Sequence, residues 1–151
     1  MLKVLFVCHG NICRSPMAEF MFKNMVQEIG CADEFEIASA AVSSEEEGNP
    51  VYPPARRVLA EHGIDCRGKY ARKMNIKDYE YYDYLICMDS SNMRNMQRIC
   101  GGDKDNKMYK LLDFTGTPAD VADPWYCGNF DGTWSDIHRG LCAFLDTLDI
   151  C

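Results

Sequence analysis

The chain has no long hydrophobic run. Its longest wholly apolar stretch near the start is Val4-Leu5-Phe6-Val7-Cys8, far short of the ~20 residues that a membrane-crossing helix needs. Lys3 alone precedes that stretch and polar residues follow at once, so the start does not read as a secretory signal. Positive charge is scarce: 16 Lys and Arg stand against 23 Asp and Glu, a net charge of −7. Such a chain lacks the broad basic footprint of a nucleic-acid binder and is repelled by anionic membranes. Neither nucleic acid nor membrane is expected as a partner, and any bound anion must be held by a local device. Histidine is limited to His9, His62 and His138, and none of the nine cysteines belongs to a Cys-x-x-Cys pair. No metal site is expected from this set. The odd, scattered cysteines fit a reducing compartment, the cytoplasm, with most thiols serving as small core residues. No repeat and no Pro- or Gly-rich linker divides the chain, so residues 1–151 read as one domain.

What is present suits a globular fold. Hydrophobic residues make up 47% of the 151 and charged residues 26%, enough to bury roughly two-thirds of the unfolded surface. Residues 1–8 form a nearly continuous apolar run, as expected of a strand buried on both faces. Ser15-Pro16 reads as a helix cap followed by proline in the first turn, with Met17, Phe20, Met21, Met25 and Ile29 at helical spacing and Gly30 as the stop. Residues 35–39 read as a second strand, and residues 45–50 as a polar surface loop. Pro53-Pro54 opens a second helix, and residues 75–82 suggest a short one. Residues 84–88 read as a third strand, followed by a helix capped by Ser90 or Ser91 and ended by Gly101-Gly102. Residues 107–112 make a fourth, shorter strand, and Trp134, Ile137, Leu141, Phe144, Leu145 and Leu148 form the apolar stripe of a last helix. Strands alternating with helices imply a three-layer α/β/α fold around a central four-stranded parallel sheet. Ligands of such sheets sit beyond the carboxyl ends of the strands. That points to the loop after the first strand.

The loop reads Cys8-His9-Gly10-Asn11-Ile12-Cys13-Arg14-Ser15, with five residues between Cys8 and Arg14. A helix N-terminus offers unpaired N–H groups and a partial positive charge. A tight loop aimed at it can curl its amides around a phosphate. Gly10 and Asn11 tolerate the positive φ that a curl requires. Arg14 adds a planar fork for two phosphate oxygens. The same field favours a cysteine thiolate, so residues 8–14 can both bind a phosphate and prepare Cys8 as a nucleophile. Taken singly, a cysteine ending a buried strand is core and an arginine near a helix start is surface. Their joint spacing in a strand–loop–helix is what points to chemistry.

This loop resembles the signature of the low molecular weight protein-tyrosine-phosphatases, Cys-x-Gly-Asn-x-Cys-Arg-Ser after an N-terminal strand. The resemblance continues through Ser39-Ala40, Gly48-Asn49-Pro50, His62-Gly63-Ile64, Met88-Asp89 and Asp123-Pro124-Trp125-Tyr126, covering essentially the whole chain. It implies hydrolysis of phosphotyrosine and small aryl phosphate monoesters through a phosphocysteine, with no metal and no cofactor. The partners it implies are phosphotyrosine proteins or peptides; a monomer is expected. By the same resemblance Cys8 is the nucleophile, Arg14 holds the phosphate with the amides of residues 9–13, and Asp123 is the acid and then the base. Pro124 biases Asp123 away from helical geometry, which puts its carboxylate on a loop. Ser15 can donate a hydrogen bond to the Cys8 sulfur, while Asn11 and Ser39 match positions that brace the loop. Trp125 and Tyr126 can flank an aromatic ester. Cys13 matches the residue that pairs reversibly with the nucleophile on oxidation. Departures fall at His9, where many relatives are apolar, at Glu45, where some carry an aromatic that walls the pocket, and at Lys69, where some carry a bracing histidine. Glu45 is expected to disfavour acidic residues beside the phosphosite.

Three other functions share this loop type. A thiol-dependent arsenate reductase needs a further cysteine pair about seven residues apart after the third strand. Here Cys87 is followed seven residues later by Arg94, and Cys100 is 13 residues away. A phosphocysteine carrier must keep its phosphate, which a water-activating Asp123 opposes. A catalytically dead phosphopeptide-binding module would not need nucleophile, arginine and acid together.

Overall fold

A computed structural model of the chain describes residues 1–149. Strand β1 (Leu2–Cys8) pairs in parallel with β2 (Phe35–Ala41) on one side and β3 (Tyr84–Cys87) on the other, and β4 (Met108–Lys110) extends the sheet beyond β3. The order is β2-β1-β3-β4, so β1 is central, as its nearly continuous apolar run suggests. Successive side chains of β1 face opposite layers. Val4 and Phe6 join Phe22 of helix α1 (Arg14–Glu28), Leu59 of α2 (Pro53–Glu61) and Phe144 of the last helix in one core. Leu5 and Val7 face Tyr79 of α3 (Ile76–Tyr81) and Met96 of α4 (Ser90–Cys100) in the other. Helices thus cover both faces of the sheet. The short α5 (Pro124–Cys127) and the long α6 (Phe130–Thr147) complete the chain. Among the described residues no helix is long and apolar enough to cross a membrane.

Several boundaries differ from the sequence reading. Helix α1 begins at Arg14, and the residue before it, Cys13, makes no side-chain cap. Ser15 lies inside the first turn because its hydroxyl is engaged by the preceding loop. Helix α4 is capped by Asp89, whose Oδ1 accepts from the Asn92 N–H, rather than by either serine. The fourth strand stops at Lys110. Residues 111–115 turn into a 3₁₀ helix that buries Leu111 and Leu112. Helix α6 starts before the first periodic residue, at Phe130, because the Asn129 side chain caps it by accepting from the Gly132 N–H at 2.9 Å.

Strand order reverses at β1, and the loops leaving the carboxyl ends of β1 and β3 open side by side there. A crevice at such a reversal is where parallel sheets hold ligands.

Candidate active site

The loop from Cys8 to Arg14 is held from outside through its carbonyls. The carbonyl of Cys8 accepts from Val42 N–H (3.0 Å), that of His9 from Ser43 N–H (3.1 Å), that of Ile12 from Tyr52 N–H (2.8 Å) and that of Cys13 from Met17 N–H (3.1 Å). With its carbonyls turned outward, the amides of Gly10, Ile12 and Cys13 find no acceptor among the described residues and remain available to an anion. The curl needs one left-handed residue, and Asn11 supplies it with φ 60°. Gly10 has no positive φ, contrary to expectation. Its value here is space: an added Cβ would come within 3.3 Å of the Glu46 side chain.

Cys8 ends β1 and is 3% exposed. The Asn11 N–H donates to its sulfur at 3.3 Å, and Ser15 Oγ lies 3.0 Å away. The Asn11 amide is fixed on three sides. Its nitrogen donates to Ser15 Oγ (2.7 Å) and Ser39 Oγ (2.9 Å), and its oxygen accepts from Arg72 N–H (3.2 Å). Because the Ser15 oxygen already accepts from Asn11, its own proton is left for the Cys8 sulfur, the Ala40 carbonyl being more distant at 3.5 Å. Ser39 in turn donates to the buried carboxylate of Glu19 at 2.6 Å. Lys69 donates to the Ser39 carbonyl at 2.9 Å and stands 3.5 Å from Glu19. Burial pushes the Lys69 ammonium below its ordinary pKa, against the opposing pull of Glu19.

Arg14 is 2% exposed and carries its charge into the interior. Burial opposes that charge, but Cys8, Asp89 and Asp123 outweigh it, and its pKa lies above the ordinary value. One guanidinium nitrogen donates to Asp89 Oδ2 and to the Val121 carbonyl, both at 2.8 Å, while the other lies 3.5 Å from Asp123 Oδ2. Asp123 sits on a loop as the cap of α5, its other oxygen accepting from Trp125 N–H at 3.0 Å. Pro124 therefore keeps the carboxylate off a helix face, as its sequence position suggests.

Cys8, His9, Gly10, Ile12, Cys13, Arg14, Glu45, Glu46, Asp123, Trp125 and Tyr126 line a single pocket. Every residue expected to touch substrate is among them except Asn11, which braces the loop from behind, as do Ser15 and Ser39. Trp125 and Tyr126 form an exposed lip, and Trp125 leans on Tyr52 with ring centroids 4.7 Å apart. Glu45 reaches His9, Oε2 to Nε2, at 3.3 Å. Cys13 is a free thiol whose pKa burial and the nearby Cys8 push up strongly. Among the described residues no group of His, Cys, Asp and Glu could hold a metal ion. Sequence reasoning missed the roles of Glu19, Glu46, Asp89, Arg72 and the Val121 carbonyl. The one available signal was the four-residue spacing of Ser15 and Glu19, which stacks them on one face of α1.

Comparison with known proteins gives the family. The family described as Low molecular weight phosphotyrosine protein phosphatase matches residues 3–150. The low molecular weight protein-tyrosine-phosphatase YfkJ of Bacillus subtilis (strain 168) is 37% identical over 150 residues, covering 98% of this chain and 96% of that protein. The low molecular weight phosphotyrosine protein phosphatase of Rattus norvegicus is 37% identical over 149 residues, with coverage of 95% and 93%. The crystal structure of YfkJ from Bacillus subtilis superposes with a TM-score of 0.94 at 35% identity, covering 97% of this chain and 94% of that one.

Proposed function

The chain belongs to the low molecular weight phosphotyrosine protein phosphatase family, and on that premise we propose how its residues hydrolyse phosphotyrosine. The enzyme is a protein-tyrosine-phosphatase, a phosphoric monoester hydrolase. The phosphate of the ester lies in the curl of residues 9–13 with two oxygens on the Arg14 fork. The Cys8 thiolate attacks phosphorus in line with the ester oxygen. As the P–S bond forms and the P–O bond breaks, the Asp123 carboxyl gives its proton to the departing phenolate. Water then attacks phosphorus, Asp123 takes the proton of that water, and the sulfur leaves as thiolate under the hydrogen bonds of Ser15 and Asn11. Inorganic phosphate is the product. Arg14 and the loop amides supply the positive field through both steps, so no metal or cofactor enters them. His9, Glu45, Trp125 and Tyr126 flank the substrate outside the phosphate.

One observation carries this assignment. The Cys8 sulfur, with donors at 3.3 Å and 3.0 Å, shares one pocket with the guanidinium of Arg14 and the carboxylate of Asp123. The test is hydrolysis of p-nitrophenyl phosphate, with a chelator present, by the wild type and by Cys8→Ser. Turnover in the wild type and a loss on the order of 10⁴-fold or more in the variant are expected. A reduced wild type without turnover overturns the assignment, and arsenate reduction and stable phosphocysteine formation become the next assays.

The same proposal includes oxidative protection. Peroxide oxidises the Cys8 thiolate to a sulfenic acid, and the Cys13 thiol condenses with it to a disulfide, releasing water. The raised pKa of Cys13 supports the order, since the thiol form resists direct oxidation. Residues 1–151 act as one domain, as a monomer in the cytoplasm. Two apolar clusters built on one sheet support the first.

A further inference from the structure

The mouth of the pocket is chemically two-sided. Exposed rings of Trp125 and Tyr126 make one part of its lining, and the carboxylate of Glu45 makes another. Glu45 is no freely moving surface residue. Ser43 donates its N–H to the His9 carbonyl at 3.1 Å, and the Ser43 hydroxyl accepts from the Glu45 N–H at 3.1 Å. The turn that carries Glu45 is thereby tied to the loop that carries Cys8. The other carboxylates of the pocket are engaged: Asp123 lies against Arg14, and Glu46 accepts from the Asn49 amide at 2.6 Å. Glu45 meets only the half-exposed ring of His9 and keeps 72% of its side chain open to solvent. Its charge is available to whatever arrives with the phosphate.

A carboxylate at the mouth of a phosphate pocket works against an incoming dianion unless the rest of the substrate compensates. We infer that Glu45 sets the substrate class of this site, selecting phosphotyrosine segments with Lys or Arg beside the phosphotyrosine over segments with Asp or Glu there. This rests on the pocket being the phosphotyrosine site. The preference is electrostatic, so it acts mainly on kcat/KM at low salt and fades as ions screen the rim. Swapping a flanking cation for an anion reverses the sign of the interaction, so the two peptides differ by twice the single-charge effect. For a solvent-exposed pair a few ångströms apart this amounts to roughly tenfold.

The experiment compares three substrates on the intact chain: p-nitrophenyl phosphate, a phosphotyrosine peptide flanked by lysines, and the same peptide flanked by glutamates. The readout is the ratio of kcat/KM for the two peptides, which within one preparation does not depend on the fraction folded. The wild type is expected to favour the lysine peptide about tenfold at low salt, and Glu45→Gln to bring that ratio close to one. Glu45→Lys should invert the preference, to about one-tenth. Raising the salt to about 0.5 M should compress the wild-type ratio toward one. A wild-type ratio near one, or a ratio unchanged in Glu45→Gln, overturns the inference while turnover of p-nitrophenyl phosphate leaves the phosphatase assignment standing. Failure on all three substrates overturns both.

Discussion

The nucleophile is set by a chain of hydrogen bonds whose direction originates at a buried carboxylate. An ionised Glu19 can only accept, so Ser39 must donate to it and offers its oxygen to the Asn11 amide. Asn11 then donates to Ser15 as well, and the Ser15 proton faces sulfur. Glu19→Gln places a second donor at the head of this chain and lets it run in either sense. It also takes the carboxylate away from Lys69 and Lys23. We expect kcat/KM on p-nitrophenyl phosphate to fall roughly 10- to 100-fold, the scale of one buried hydrogen bond to a charged group. An unchanged melting temperature would separate this loss from a plain loosening of α1. Ser39→Ala interrupts the same chain, so the double variant should be little worse than the poorer single one. Additive losses would show that the two residues act separately. Cys8 and Arg14 are legible in the sequence because their joint spacing announces them, and Asp123 through the family resemblance of its Asp-Pro-Trp-Tyr segment. Glu19 is not, since a glutamate in a helix ordinarily faces water, and only the fold shows that its face of α1 lies behind the loop.

At the level of elements, the site is assembled by four loops that the sheet brings together: one after β1, one after β2 with Glu45 and Glu46, one after β3 with Asp89, and the one that leads to Asp123. The last is docked by the buried side chain of Val121 and by polar contacts. Val121 N–H donates to the Met88 carbonyl at 2.8 Å. One step before it, Asp120 accepts from Lys110 Nζ at 2.9 Å and from the Ser90 N–H at 3.2 Å. The hydrogen bond from Lys110 is the chief reason the Asp120 carboxyl titrates below the ordinary value. A carboxylate with a depressed folded pKa contributes its full stabilisation above the unfolded value and loses it as acid carries the pH down through the folded one. The dock should therefore hold across neutral pH and release below the ordinary aspartate range. Asp120→Ala should release it at neutral pH. Hydrogen exchange at the Val121 amide should quicken, and kcat should fall by up to about 100-fold as the Asp123 carboxyl loses its place, since small misplacements of a catalytic group cost that much. Unchanged exchange at Val121 would show that Asp120 is not the anchor. Periodicity locates most of these elements, but it misplaces their ends for identifiable reasons. Asp89, Ser90 and Ser91 are all good caps, and Asp89 takes the position in which its second oxygen also reaches Arg14. Residues 111 and 112 continue an apolar run yet leave the sheet, because α6 needs them in the core. The four residues of α5 are too few for any periodic signal.

For the molecule as a whole, an acidic chain binds an anion by concentrating its positive field in one buried arginine and a set of oriented amides, and the rest of the surface need not cooperate. That division is visible in the sequence as a net charge of −7 beside a Cys-x5-Arg loop. Layering is visible too, since alternation of strands and helices demands a parallel sheet covered on both faces. The order of strands is only partly so: the nearly continuous apolar β1 must be central, but nothing local says whether β2 or β3 pairs with β4. The same division separates stability from chemistry. Phe144 of α6 is fully buried against the rings of Phe22, Tyr84 and Phe114, at centroid distances of 5.5 Å, 5.1 Å and 4.9 Å. These rings fill one face of the sheet, whereas the phosphate is held at its carboxyl edge. Phe144→Ala leaves a cavity that costs about 3–5 kcal/mol. For a chain of this size that lowers the melting temperature by roughly 6–20 °C. Well below the new transition, the KM for p-nitrophenyl phosphate should stay within about twofold of wild type, because the rings that Phe144 packs against, Phe22, Tyr84 and Phe114, lie outside the loop. A variant that keeps its melting temperature would show that α6 does not anchor this face. One that melts early and also loses affinity for phosphate would show that the loop depends on the distant core, and that stability and binding are not divided between face and edge.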